Sequence, residues 1–360
     1  MCCRVLFEYR NQDAAHTRSI LVGRVMDFED WHRYWKRGRM AADLWIFPRN
    51  LPRNQGRPTT TFSWTSKWGS LAAAVSWQAG DHVVAATTDG VNEKRLAGHV
   101  LTLVKSTYPS DGNDGRKELS AAMWLQYYLD KFSTIKEVRA SLRRKGNEPD
   151  CFEEPFRLKE VEINGRTVGL HMALEDATGA ILLMEYVAVN GKSVLHVHRG
   201  KRFPVVTNDL TCDLQDKNEL DKYVGFGGKE PMPGSTDSRH RFVRASYYRK
   251  NLPTARNQRE AAAYLMSVLR NVSQPFGERD REVPAGQWTR STWWRNICDL
   301  TDGRYFFEST ISPNLIWIKL NELNFRGSVM KLDMTDEDNL DRFGNVSANF
   351  EATEPFTWPT

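Results

Sequence analysis

The chain opens MCCRVLFEYR, residues 1–10, and ILVGRVMDF follows at residues 20–28. How these two runs are read decides the fold. Val5 and Phe7 alternate as in a strand, and the second run is placed to pair with the first. Cys2 then starts a strand next to the end of the chain. A thiol needs a base before it can act as a nucleophile near neutral pH. If Met1 is lost, Cys2 carries that base itself, because an α-amine titrates near pH ~8. Read alone, Cys2 is a small apolar residue at a strand end. Arg24 and Asp27 change that balance. A guanidinium beside a thiol favours thiolate, and a carboxylate beside an α-ammonium orients it. Residues i and i+3 of a strand point to opposite faces, so a turn or bulge is expected if both are to serve one site.

The remaining composition is that of a globular protein. Of 360 residues, 40% are hydrophobic and 26% charged, and no apolar stretch approaches the roughly 20 residues of a membrane-spanning helix. The net charge is +5, from 50 basic and 45 acidic residues spread along the chain. That lacks the dense basic stripe of a nucleic-acid binder. One local cluster, His32-Arg33-Tyr34-Trp35-Lys36-Arg37-Gly38-Arg39, mixes cations with aromatics and reads as a solvated loop. The five cysteines, Cys2, Cys3, Cys151, Cys212 and Cys298, contain no CxxC pair. They suggest neither a zinc site nor a disulfide framework. His196 and His198 with Glu185 are the one metal-ligand candidate, and a polar strand face is the simpler reading. No cofactor is expected. The N-terminus lacks a secretory signal. The protein is therefore cytoplasmic, or Met1 stands where a removed leader was and the protein is periplasmic.

Strand-like runs fall in two blocks. TFSW, LAAAVSW, HVVAATT and LAGHVLTLV occupy 61–104; VGLHMAL, AILLMEYVAV and SVLHVHRG occupy 168–200. Ala177-Thr178-Gly179 and Asn190-Gly191 divide the second block into hairpins. RYFFEST and LIWIKL form a late pair around Ser312-Pro313-Asn314. Helical spacing appears over 121–132, in a short segment opened by the capping box Thr134-Ile135-Lys136-Glu137, and over 261–272. Hairpin blocks with helices between them predict an α+β fold in one large domain, residues 1–360.

Several motifs resemble the choloylglycine hydrolases, the family of penicillin V acylases and bile salt hydrolases among the N-terminal nucleophile hydrolases. They are MC with GR-x-x-D, TTDGVNEKRLAGHVL, HMALEDATGAILLMEYV, VVTNDLTCDLQ, PGSTDSRHRFVRASYY and GRYFFESTISPNLIWIKLNELNF. They keep the family order over most of the chain. The resemblance implies a four-layer αββα sandwich and hydrolysis of linear amides by an N-terminal cysteine. Carried over residue by residue, it implies Cys2 as nucleophile, Asp27 holding its α-amine and Arg24 stabilising the thiolate. Asn208 and the Thr102 backbone N–H would be the oxyanion donors, and Arg241 would complete the polar cluster. Met26, Phe28 and Thr102 would line the substrate pocket. The implied partners are small amides: penicillin V first, acyl homoserine lactones second, conjugated bile salts third. Neither nucleic acid nor membrane is implied, and a homo-oligomer, a tetramer, is. WIFPRNLPRN and FSWTSKWGS resemble the Gram-negative acylase branch, whose members usually lose a signal and begin at the Cys.

Three departures bear on specificity, and a fourth, at Arg95, has only a local effect. Thr102 stands where Gram-negative acylases tend to have Trp and bile salt hydrolases Asn. Phe28 replaces a Trp and drops the indole donor. The stretch 31–39 is longer and more basic than its counterpart. Arg95 replaces a Gly. A non-catalytic binding protein that kept the fold is the competing reading from another class.

Overall fold

The computed structural model describes residues 2–12, 17–29, 40–53, 58–109, 115–146, 148–163, 165–200, 203–209, 220–275 and 290–359. The basic stretch 31–39 and Cys212 lie outside them. A seven-stranded sheet runs in the order β16 (Val205–Val206), β1 (Cys3–Asn11), β2 (Thr17–Glu29), β17 (Arg290–Asp299), β18 (Arg304–Ser309), β19 (Ile316–Lys319) and β21 (Gly344–Asn345). It is antiparallel except for β21. An antiparallel eleven-stranded sheet begins with β22 (Glu351–Ala352), β20 (Met330–Leu332), β3 (Met40–Phe47), β4 (Ser70–Ala79), β5 (His82–Asn92) and β6 (Ala97–Thr102). It continues through β13 (Leu170–Glu175), β14 (Ile181–Val189), β15 (Lys192–Arg199), β9 (Cys151–Glu153) and β8 (Arg143–Arg144). Two small pairs complete the strands: β7 (Glu118–Ser120) with β10 (Arg157–Lys159), and β11 (Glu162–Ile163) with β12 (Arg166–Thr167).

Alternation along the strands sorts the layers. In β1 and β2, Cys3, Val5, Phe7, Leu21 and Val25 pack under α3 (Ser238–Lys250) and α4 (Gln258–Asn271). Cys2, Leu6, Val22 and Met26 face the other way, into the interior between the sheets. Gly23 belongs to the helix-facing set. A Cβ there would come within 2.7 Å of Leu269 Cδ1, so glycine is what lets α4 lie close to β2. On the second sheet, Asp89, His99 and Glu175 face inward, while Gly98 faces α1 (Trp124–Lys131), where a Cβ would collide with Leu125. The order is therefore helix, sheet, sheet, helices: the expected αββα sandwich.

The space between the sheets is not wholly apolar. Arg4 of β1 pairs with Glu175 of β13, and Arg24 of β2 with Asp89 of β5 at 3.4 Å; all four side chains are buried. Burying such charges is costly unless each is paired, and here each pair ties one sheet to the other.

The local predictions stand where chemistry is local. Thr134 caps α2 (Ile135–Ser141) by accepting from Glu137 N at 3.2 Å. Asn190 and Gly191 have φ of 50° and 75°, as a primed hairpin turn requires. The run TFSW differs: apart from a bridge at Thr61 it is not a strand, and Trp64 instead donates to Asp130 of α1 at 2.8 Å. Helical spacing over 121–132 begins with a 3-10 turn, Ala121–Met123, before α1.

Candidate active site

Cys2 precedes β1 by one residue and is 1% exposed. The register Cys3↔Val25 carries its side chain alongside Met26 and Arg24. Arg24 donates to Cys2 Sγ at 3.4 Å and to Met26 Sδ at 2.8 Å. Its other amino group donates to Thr88 O at 2.5 Å and faces Asp89 Oδ2 at 3.4 Å. Asp89 is itself held by Trp294 Nε1 at 3.1 Å and by Asn296 and Tyr305. The guanidinium is thus fixed from behind, with one edge against the sulfur. Burial pushes the Cys2 thiol up, but Arg24 and the positive amino terminus together outweigh it, and the thiol lies below its ordinary range. Burial also raises the Asp89 carboxyl, against the pull of Arg24, Tyr305 and Trp294.

The nitrogen of Cys2 is served from the other side. It donates to Asn208 Oδ1 at 2.6 Å. Arg241 donates to that same oxygen at 2.9 Å and to Asp27 Oδ2 at 2.7 Å. Asp27 also accepts from Thr292 Oγ1 at 2.5 Å. The anticipated bulge exists, but on the partner strand: the β17–β2 register shifts between Thr292 and Trp294. Arg24 and Asp27 keep their opposite faces. Arg24 reaches the sulfur, and Asp27 connects to the nitrogen through Arg241 and Asn208. Asn208 follows β16, which lies beside β1, and its backbone N–H donates to Ser238 Oγ at 2.9 Å, at the start of α3. Arg241 is one turn further along that helix and fully buried.

Asn208 Nδ2 donates to Thr102 O at 2.7 Å and Thr102 Oγ1 at 2.8 Å. Thr102 ends β6. Leu103 N donates to Gly169 O, which directs alternate N–H groups of this strand toward β13. The Thr102 N–H therefore points the opposite way, to the side of its own carbonyl and Asn208. Two donors, Thr102 N and Asn208 Nδ2, stand on one edge near the thiol.

A cleft opens from Cys2. Met26, Phe28 and Thr102 line it, together with Val75, Trp77, Val100, Ala121, Ala122, Ile163 and Leu170. Phe28 is braced edge-on by Trp293, the extra residue of the bulge, at 5.6 Å. The walls are mostly aliphatic and aromatic, and among the described residues the only charged one lining it is Arg24. Sequence reading missed Asp89 and the wall from Val161 to Leu170. Asp89 lies in a quoted motif, and only the sheet-to-sheet stacking reveals that it backs Arg24.

The histidine pair takes another course. His198 approaches Glu185 at 3.3 Å, His171 approaches the same carboxylate at 3.0 Å, and His196 faces Cys151 Sγ at 3.7 Å. Among the described residues no group of three or more His, Cys, Asp or Glu is placed to hold a metal ion. Arg95 has φ of 67°, where glycine is favoured, and its guanidinium donates to Thr301 O.

Two stacked sheets between helices, with a buried cysteine thiol at the second residue beside a guanidinium, are the arrangement expected of an N-terminal nucleophile hydrolase. The sequence profile of linear amide C–N hydrolases, choloylglycine hydrolase family, matches residues 2–339. The chain belongs to that family and is a linear amide hydrolase. It is 37% identical to a penicillin V acylase of Pectobacterium atrosepticum over 93% of this chain and 87% of that one. Identity to a bile salt hydrolase/transferase of Clostridium perfringens is 22%, over 68% and 75%. Among solved structures, a penicillin V acylase from Agrobacterium tumefaciens superposes with a TM-score of 0.75 at 32% identity, covering 99% of both chains. A conjugated bile acid hydrolase from Clostridium perfringens shares the fold, with a TM-score of 0.68 at 19% identity over 92% and 97%.

Proposed function

We propose that the chain cleaves N-acyl amides through Cys2, with penicillin V as the leading substrate. The observation that carries this reading is the division of labour at residue 2: the sulfur lies 3.4 Å from Arg24, and the nitrogen lies 2.6 Å from Asn208 Oδ1. In this chain Met1 precedes Cys2, so that nitrogen is a peptide N–H and becomes an amine when Met1 is removed.

The thiolate attacks the amide carbonyl carbon and the π pair moves to oxygen. Thr102 N and Asn208 Nδ2 receive that oxyanion, with Asn208 Nδ2 exchanging its bond to Thr102 Oγ1 for one to substrate. Fixed donors of this kind contribute several kcal/mol to the transition state. The Cys2 amine, made an ammonium by taking the thiol proton, gives that proton to the leaving nitrogen; the C–N bond breaks and an acyl-thioester remains. The neutral amine then takes a proton from water as it attacks the thioester; the C–S bond breaks, the carboxylic acid leaves and the proton returns to the Cys2 sulfur. Asp27 and Arg241 keep Asn208 and the amine in place.

The acyl group is chosen by the cleft. Its apolar walls favour a phenoxyacetyl group beside Phe28 and Met26, and the relatives named penicillin V acylases support the same choice. Acyl homoserine lactones are the second reading, favoured by the aliphatic stretch of Val75, Val100, Ile163 and Leu170, which suits a linear chain. The test is hydrolysis of penicillin V, acyl homoserine lactones and a glycine-conjugated bile salt by protein beginning at Cys2. Phenoxyacetate release as the fastest reaction is expected. Preferential cleavage of the bile salt would overturn the substrate assignment.

A further inference from the structure

One side chain, Trp77, lines both the cleft at Cys2 and a second cavity. Val75 and Ala86 face each other across β4 and β5 and line the cleft. Two residues further along each strand, on the same face, come Trp77 and Val84, and two further again Ala79 and His82. That last row borders a second cavity, open to solvent, which Trp358 and Lys159 also line. Trp77 lines both spaces and is 2% exposed. The pair β11–β12 spans them as well: Ile163 lines the cleft, and Glu162 lines the second cavity.

We propose that Trp77 is a specificity-determining partition: it stops the acyl group, and the cavity beyond it is a subsite for the tail of a long linear acyl chain. The register places the two spaces in line along one sheet face. From the Val75 row to the Ala79 row is four residues, about 14 Å of strand. The far space combines an apolar floor, Val84, Ala79 and Trp358, with a polar rim, His82, Lys159 and Glu162. Such a space suits a methylene chain whose end meets water. An aryl acyl group ends before Trp77, whereas a long chain needs the indole displaced or removed. This inference rests on the acylase reading for its ligand class.

The test measures binding, so it does not depend on turnover. N-Dodecanoylglycine and N-phenoxyacetylglycine are titrated into the Cys2→Ala protein with and without Trp77→Ala. The ratio of affinities should move toward the dodecanoyl compound by about tenfold or more. Trp77→Phe, which keeps a ring in the core, should give a smaller shift in the same direction. In the Trp77→Ala background, Ala79→Trp should refill the far space and reverse the gain. Unchanged ratios in both Trp77 variants, or an equal weakening of both ligands, would overturn the partition. If the ratio shifts but protein beginning at Cys2 cleaves neither penicillin V nor an acyl homoserine lactone, the partition stands and the acylase reading fails.

Discussion

Cys2 and Cys3 are adjacent, equally buried and chemically identical, yet the fold gives them opposite properties. Cys2 faces the interior between the sheets, where Arg24 and the amino terminus together overcome burial and hold the thiol low. Cys3 faces α3 and α4. There burial dominates, Arg241 offsets it only in part, and the thiol is pushed up to about 12. The strand pleat separates the two side chains by one residue and places them in different electrostatic worlds. Reactivity here follows from which face a side chain occupies, with burial common to both.

The comparison breaks most plainly by deletion. Cys2→Ala should remove amide cleavage by at least about 10⁴-fold, while Cys3→Ala leaves turnover in place and costs about 1 kcal/mol of stability. Activity surviving in Cys2→Ala would sink the mechanism. Next in size is the cation. Arg24→Met should raise the Cys2 thiol and lower kcat/KM near pH 7 by about 10²-fold. The loss should shrink as pH rises, because hydroxide then supplies the thiolate that Arg24 no longer favours. Removing Arg24 also strands buried Asp89, a penalty of about 3 kcal/mol, so Arg24→Met with Asp89→Asn is the better-folded form for the same pH profile. A profile unchanged from wild type would show that Arg24 does not set the thiol.

Smaller effects sharpen the picture at the rim. Thr102→Trp places an indole where the side chain meets both the cleft and Asn208. It should change the ratio of aryl to long-chain acyl turnover by about tenfold, and an unaltered ratio would remove Thr102 from the acyl site. Smallest is Arg95→Gly. Relief of the left-handed backbone, about 1–2 kcal/mol, opposes loss of the bond to Thr301, about 1 kcal/mol. Chemical denaturation should find the two within about 1 kcal/mol of each other.

Much of this was legible in the sequence wherever the signal is local. The turn at Asn190-Gly191, the cap at Thr134 and the apolar face over 261–272 all form as their residues require. The helix Ser238–Lys250 gave no such signal. Its buried positions include Arg241 and Arg244 beside Phe242 and Val243, so charge interrupts the apolar stripe that marks an amphipathic helix. That hidden helix supplies Arg241. Strand β17 escaped for a related reason, since Thr292, Asn296 and Asp299 are polar yet buried. The motifs located Cys2, Arg24, Asp27, Asn208 and Arg241 in the chain. What they could not give is the route by which these residues meet. Asp27 acts through Arg241 and Asn208, and Arg24 leans on Asp89 from the other sheet. The first link forms only when α3 docks on the first sheet, the second only when the two sheets stack.

The most direct test of a low thiol at residue 2 is alkylation by iodoacetamide between pH 6 and 9, mapped by mass spectrometry while residual hydrolysis is followed. Cys2 should label first, with a midpoint below the ordinary thiol range, and turnover should fall in step with its labelling while Cys3 stays unmodified. Full labelling of Cys2 with turnover intact, or Cys2 reacting no faster than Cys3, would contradict the account.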